Sequence, residues 1–181
     1  MFLAEQKLLF VHINKTGGTS IKHYFGKTPA DFGPELPWQY HHTAAVFQER
    51  LDPEVWKKTF KFSFVRNPWD RYVSIYLFRQ RLKELDPMLE INIRMMTFDE
   101  WLFRSFDALR EKVGHEKAIY TVGQAKWLRD MNGELCMDYI GRFEDLESDL
   151  HRICRIVGLP IKPLAHKNAN PHQDYRLYHN A

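Results

Sequence analysis

The chain of 181 residues is 44% hydrophobic, 14% aromatic and 27% charged, and its formal net charge is +3 at pH 7. These values argue against an intrinsically disordered chain, a transmembrane span and a nucleic-acid partner, and they fit one globular domain with a sizeable core. Cys136 and Cys154 lack the spacing of a metal site, so we expect a single cytoplasmic domain over residues 1–181 that holds no metal.

The first predicted unit is a buried strand followed by a glycine-containing loop and a short helix. The strand covers residues 8–13, an apolar and β-rich run that leads toward two adjacent glycines. Thr19 or Ser20 is expected to cap the helix, which covers residues 21–25 and ends near Gly26. This order places the loop at the carboxyl end of the strand.

Beyond this unit, predicted strands alternate with predicted helices. An irregular, proline-rich connection over residues 27–40 comes first. Strands are predicted over residues 60–65 and 137–141, and helices after Thr43, over residues 69–83, from the capping pattern at Thr97, over residues 124–129 and over residues 144–157. The alternation predicts an α/β fold with a central parallel sheet flanked by helices, and such sheets bind ligands at the carboxyl ends of their strands.

Residues 12–20, here called the glycine loop, read His-Ile-Asn-Lys-Thr-Gly-Gly-Thr-Ser. The two glycines let backbone N–H groups turn toward an anion, the lysine adds a full positive charge, and the hydroxyl groups offer further donors. The pattern predicts a site for a tetrahedral anion, with an ordinary strand-to-helix turn as the alternative. The residues expected to bind are Lys15, Thr16, Gly17, Gly18, Thr19 and Ser20.

The position of the lysine separates this loop from a nucleoside-triphosphate site. The Walker pattern places its lysine after the second glycine, whereas Lys15 precedes Gly17. An ATP- or GTP-dependent kinase or NTPase is therefore a weaker alternative. A noncatalytic module that binds a nucleotide or a glycan is a third possibility.

The glycine loop resembles the 5′-phosphosulfate loop of sulfotransferases that use 3′-phosphoadenosine 5′-phosphosulfate (PAPS), with Asn14 where the family usually has proline. Residues 64–74 resemble the 3′-phosphate segment of the same family, which implies that Arg66 and Ser74 bind that phosphate. These two residues are eight positions apart, so a strand end and the following helix can bring a guanidinium and a hydroxyl to one phosphate.

The resemblance continues through residues 124–128 and 139–160, and thus covers most of the chain between residues 8 and 178. The sequence is most similar to the carbohydrate-type branch of the family. The resemblance implies transfer of a sulfuryl group from PAPS to a small-molecule or glycan hydroxyl, which leaves adenosine 3′,5′-bisphosphate. Family members continue past an element like Tyr175–Tyr178 into another helix. This chain is therefore either a minimal enzyme or one that lacks a C-terminal helix, and a membrane anchor outside these residues stays open.

The proposed chemistry requires a cation at the leaving oxygen and a base for the acceptor hydroxyl. Lys15 is expected to donate to the oxygen that bridges sulfur and phosphorus. The resemblance supports a histidine base at His41 or His42, whose ordinary pKa near 6.5 suits proton acceptance at neutral pH. His42 is slightly favoured because it directly precedes the expected helix cap at Thr43.

Several other residues are weaker candidates for the site. Asp31 and Glu35 are alternative bases, whereas His12 is expected to pack in the core rather than to bind. The resemblance places Lys167 near a phosphate. Aromatic side chains that could stack on adenine or a sugar, but that more often fill a core, are Trp38, Tyr40, Tyr175 and Tyr178.

Overall fold

The computed structural model describes residues 1–27, 41–85, 96–110, 123–165, 167 and 173–178, without the side chains of residues 82–85 and 105–110. Asp31, Glu35, Trp38 and Tyr40, together with most of the irregular connection expected over residues 27–40, lie outside the described residues.

One sheet organises the described part of the chain. Its strands are β1 (Phe2–Leu3), β2 (Leu8–Val11), β3 (Phe60–Val65) and β4 (Tyr139–Arg142), and they lie side by side in that order. β1 is antiparallel to β2, while β2, β3 and β4 are mutually parallel. The prediction of an α/β fold built on a parallel sheet is confirmed.

The register of the parallel strands brings their carboxyl ends to one edge of the sheet. Val11 of β2 is level with Ser63 of β3, and Val65 of β3 is level with Arg142 of β4. The glycine loop leaves β2 at this edge, and Arg66 is the first residue after β3. The sheet therefore carries both predicted features on its carboxyl edge.

Helices and short 3-10 turns connect and flank the strands. The predicted helices after Thr43 and from Thr97 are confirmed, and the helix expected over residues 69–83 is slightly longer. In the described ranges the helices are α1 (Gly18–Tyr24), α2 (Ala44–Arg50), α3 (Pro53–Lys58), α4 (Pro68–Leu85), α5 (Phe98–Arg110), α6 (Gln124–Trp127) and α7 (Leu146–Ile156), with 3-10 turns at Phe143–Asp145 and Tyr175–Tyr178.

The chain divides into two compact units, and the first contains the sheet, with residues 1–66 and 123–168. Its apolar core forms where α1 and α7 cover the strands. Leu146, Leu150 and Ile153 lie at helical spacing on one buried face of α7, and Phe10 of β2 stacks on Phe62 of β3 at 5.2 Å. This core fixes the position of the carboxyl edge.

The second unit, with residues 67–122 and 169–181, is built around α4 and α5. Asn67 begins α4 by accepting from the backbone N–H of Trp69 at 3.0 Å. The predicted capping box of α5 is confirmed, because Glu100 accepts from the Thr97 N–H at 2.8 Å and Thr97 Oγ1 accepts from the Glu100 N–H at 3.3 Å. The buried hydrophobic cluster of this unit comprises Val73, Ile75, Tyr76, Phe98 and Trp101.

Some local predictions differ from the structure. The N-cap of α1 is Gly17, so the expectation that Thr19 or Ser20 caps this helix is wrong. β1 and α3 have no counterpart among the predicted elements. The expected single-domain organisation over residues 1–181 stays a prediction. No helix in the described ranges is both long and apolar enough to cross a membrane.

Candidate functional site

The backbone of the glycine loop adopts the geometry of an anion site. The angle φ is positive at Lys15 (64°) and at Gly17 (81°), and Thr16 between them is not among the residues with positive φ. A backbone that alternates in this way turns successive N–H groups toward one point and forms a concave site for an anion. A left-handed lysine is also strained, and such strain concentrates at functional sites.

Gly18 is where the loop packs most tightly on the strand below it. A Cβ atom on Gly18 would lie 1.8 Å from Nε2 of His12, so no larger residue fits unless the ring moves. The His12 side chain is 6% exposed and stacks on Phe10 with ring centroids 5.4 Å apart. His12 is therefore a packed residue, as predicted, and it supports the loop from the core side.

The loop hydroxyls do not all point to a ligand. Thr16 is fully buried, and its hydroxyl donates to the carbonyl of Ile13 at 2.8 Å. Its hydrogen is thus used inside the loop, which leaves the backbone N–H as the group that Thr16 can offer to an anion. Thr19, by contrast, is exposed.

Ser20 holds a distant residue against the loop. Its Oγ accepts from the backbone N–H of Lys167 at 2.9 Å and donates to the carbonyl of Lys167 at 3.4 Å. The resemblance placed Lys167 near a phosphate, and the structure brings its backbone to the glycine loop while its side chain is exposed. Ser20 therefore acts in this structure as an anchor for residue 167.

Arg66 lies beside the glycine loop. Its Nη1 donates to the carbonyl of Lys15 at 3.2 Å, and its guanidinium carbon lies 4.2 Å from the ring centre of Phe143. These contacts place Arg66, the residue predicted to bind the 3′-phosphate, next to Lys15 of the glycine loop. Ser74 is buried on α4 in the second unit, and its convergence with Arg66 stays a prediction.

His41 contacts the strand end from which the glycine loop begins. Its ring centroid lies 4.2 Å from that of His12, and its Nδ1 lies 3.3 Å from the carbonyl oxygen of His12. Because a carbonyl can only accept, we infer that Nδ1 carries the proton and that Nε2 is the basic nitrogen of the neutral ring. His42, the neighbouring candidate, is half-buried.

Burial lowers the pKa of His41 from 6.5 to about 4, and the charge of Lys22 acts in the same direction, against the opposing hydrogen bond to His12. His41 is therefore neutral at pH 7. A neutral imidazole can accept a proton without first losing one, which is the state that a general base requires. An anion bound nearby would raise this pKa.

The lowered pKa of His41 predicts acid sensitivity. Between pH 6.5 and about pH 4 the unfolded chain binds a proton at residue 41 that the folded chain does not. The contribution of this residue to the free energy of unfolding is therefore fully present above pH 6.5 and is lost as the pH falls. We expect His41→Asn to remove about 3 kcal/mol of this loss. Urea unfolding from pH 8 to pH 4 measures it. The exposed His23→Asn is the control, and an equal effect there would contradict the assignment.

Three residues of the site have no role predicted from the sequence. Gln124 bonds both backbone groups of Arg66, accepting from its N–H at 2.9 Å and donating to its carbonyl at 2.7 Å. Phe143 underlies the guanidinium, and Lys22 is a buried lysine of α1 whose pKa burial lowers to about 8. Gln124 and Phe143 have a signal in the sequence, since both lie in stretches that resemble the family, whereas Lys22 has none.

Within the part of the chain that the structure describes, no three His, Cys, Asp or Glu side chains are grouped so that they could hold a metal ion.

Comparisons with known proteins are consistent with this geometry. The sequence model of the sulfotransferase family matches residues 1–180. An uncharacterized protein of Archaeoglobus fulgidus is 28% identical over 135 residues, which cover 74% of this chain and 96% of that relative. No solved structure gives a significant match.

Proposed function

Because the chain belongs to the sulfotransferase family, we propose that it transfers a sulfuryl group from PAPS to a hydroxyl of a carbohydrate acceptor. The single observation that carries the choice of donor is the glycine loop, in which Lys15 and Gly17 hold left-handed backbone at the carboxyl edge of a parallel sheet. The carbohydrate acceptor is supported by the sequence resemblance to the carbohydrate-type branch.

The glycine loop fits the 5′-phosphosulfate end of PAPS. Its backbone curvature suits a tetrahedral anion. Because a Cβ atom at residue 18 would collide with His12, this position of the loop requires glycine. Lys15 supplies the positive charge that a phosphosulfate requires. We assign the binding of this end to residues 15–20, with Thr16 and Ser20 acting through the contacts described above.

In the transfer, the bond between sulfur and the 5′-phosphate oxygen breaks while a bond between sulfur and the acceptor oxygen forms. Lys15 neutralises the negative charge that develops on the leaving phosphate oxygen. The acceptor proton goes to a histidine. Of the two candidates, His41 and His42, it is His41 whose contacts and neutral ring support this role. The products are the sulfate ester and adenosine 3′,5′-bisphosphate.

The 3′-phosphate distinguishes PAPS from most other adenine nucleotides. We assign its binding to Arg66 and Ser74, and the contact of Arg66 with the Lys15 carbonyl supports an arginine held close to the loop. An arginine fork gives two parallel hydrogen bonds to a phosphate, so this residue sets the preference for a 3′-phosphorylated nucleotide.

The first test compares nucleotides by thermal unfolding. A ligand that binds only the folded chain raises the melting temperature by mass action. We expect adenosine 3′,5′-bisphosphate at about 100 times its Kd to stabilise the protein by about 2.7 kcal/mol, and ATP with magnesium at the same concentration to do so much less. A larger shift with ATP would overturn the proposal in favour of a kinase or NTPase.

The acceptor is identified by activity. The protein is incubated with PAPS carrying a labelled sulfate and with a panel of glycans, lipids and small alcohols, and the labelled products are separated. Label in a glycan supports the proposed acceptor, label in another class corrects it, and binding of the nucleotide without any transfer indicates a noncatalytic module.

A further inference from the structure

The amide of Gln124 bonds both polar groups of the Arg66 backbone, the N–H and the carbonyl. β3 ends at Val65, whose partner in the sheet is Arg142. The next residue, Arg66, therefore lies one position beyond the ladder. Its N–H and its carbonyl bond the same side chain, at 2.9 Å to Oε1 and at 2.7 Å to Nε2 of Gln124.

A primary amide is chemically equivalent to a peptide group, since it carries one carbonyl acceptor and N–H donors. In a strand, the N–H and the carbonyl of one residue face the same neighbour, so a single amide can satisfy both. Gln124 thus extends the sheet by one rung at Arg66, one position beyond the last residue of β3 that pairs with β4. Two good hydrogen bonds to one residue fix the direction in which its side chain leaves the strand.

The side chain of Arg66 is fixed at its other end as well. Phe143, the first residue after β4, lies under the guanidinium at 4.2 Å, and the Lys15 carbonyl accepts from Nη1 at 3.2 Å. The backbone bonds and the guanidinium contacts together hold the arginine at the edge of the glycine loop. A fixed arginine binds a phosphate with less loss of conformational entropy than a mobile one.

We propose that Gln124 is a positioning residue that fixes Arg66 for recognition of the 3′-phosphate of the donor nucleotide. The inference rests on the proposed function, because it takes Arg66 as the residue that binds this phosphate. Gln124 does not need to touch the nucleotide. It determines how well the enzyme separates 3′-phosphorylated nucleotides from those without this group.

The test measures the affinity of the full chain for adenosine 3′,5′-bisphosphate and for adenosine 5′-monophosphate by titration calorimetry. In Gln124→Met, which keeps the side-chain length, affinity for the bisphosphate is expected to fall on the order of tenfold. Affinity for the monophosphate, which has no 3′-phosphate, stays within about twofold of wild type. A merely structural role would weaken both ligands alike, and that result overturns the inference.

Gln48→Met is the matched control, because Gln48 also accepts a backbone N–H from a distant residue, Met131, at 2.7 Å. It leaves both affinities unchanged. In an Arg66→Ala background, Gln124→Met causes no further loss of preference for the bisphosphate. If Gln124→Met does not fold, Gln124→Glu carries the same comparison, since it keeps the acceptor for the Arg66 N–H.

The two proposals fail differently. If wild-type protein binds both nucleotides equally, the 3′-phosphate site at Arg66 is refuted and the inference falls with it. If wild type prefers the bisphosphate and Gln124→Met keeps that preference in full, Gln124 is not a positioning residue and the proposed function stands.

Discussion

Lys15→Ala is expected to lower turnover with PAPS by on the order of 10²–10³-fold. The lysine supplies a full charge in a loop whose other contributions are neutral N–H groups and hydroxyls. Its charge stabilises the leaving phosphate oxygen most strongly when that oxygen becomes fully negative, so the transition state loses more than the bound substrate. Affinity for adenosine 3′,5′-bisphosphate is expected to fall only about tenfold.

Two variants define the control for Lys15. Lys57→Ala removes an equal charge from the exposed surface of α3 and should leave turnover unchanged. Lys15→Arg keeps the positive charge but changes the geometry of the hydrogen-bond donors. Its turnover relative to Lys15→Ala measures how much of the rate depends on the charge alone. Turnover is measured as transfer of the labelled sulfuryl group to the identified acceptor, and affinity by calorimetry. Equal losses in turnover and affinity would show that Lys15 only binds.

Gly18→Ala is expected to destabilise the fold by about 3 kcal/mol, at the upper end of the cost of overpacking. The new methyl group would lie 1.8 Å from Nε2 of His12, whose ring is buried and contacts the rings of Phe10 and His41. Displacing the ring would disturb its packing against both neighbours. The melting temperature should fall on the order of 10 °C, and nucleotide binding should weaken because the loop shifts.

The cause of this loss is tested in two ways. Gly123→Ala is the matched control, since a Cβ there meets nothing within 4 Å, and it should change stability by less than about 0.5 kcal/mol. In a His12→Ala background the cost of Gly18→Ala should largely disappear, because the ring that the methyl group meets is gone. An unchanged cost in that background would show that contact with His12 is not responsible.

The sequence predicted the parts of the site that lie close together along the chain. The buried run that begins at Leu8, the glycine loop and the helix after it form one local unit, and residue chemistry alone indicated an anion. The signal for α3 was also present, because Asp52 precedes a proline and caps the helix by accepting from the Glu54 N–H at 2.9 Å. A strand of two residues such as Phe2–Leu3 is too short to show a period.

The contacts that shape the site could not be predicted in the same way. Gln124 and Arg66 are 58 positions apart, and His41 and His12 are 29 apart. No local pattern predicts that an amide will meet a strand end or that two imidazole rings will pack against each other. The cap of α1 was also misassigned, because Thr19 and Ser20 have the chemistry of a cap but the left-handed Gly17 takes that position. Tertiary packing decided each of these points.

The pair of hydrogen bonds between Ser20 and Lys167 joins residues 147 positions apart. Closing a loop of this length costs conformational entropy, and contacts of high sequence separation slow folding. A growing chain on the ribosome would therefore complete its sheet pairings before it could close this contact. The proposed nucleotide site includes this contact, so nascent fragments that contain the whole glycine loop but end before residue 167 would lack the finished site.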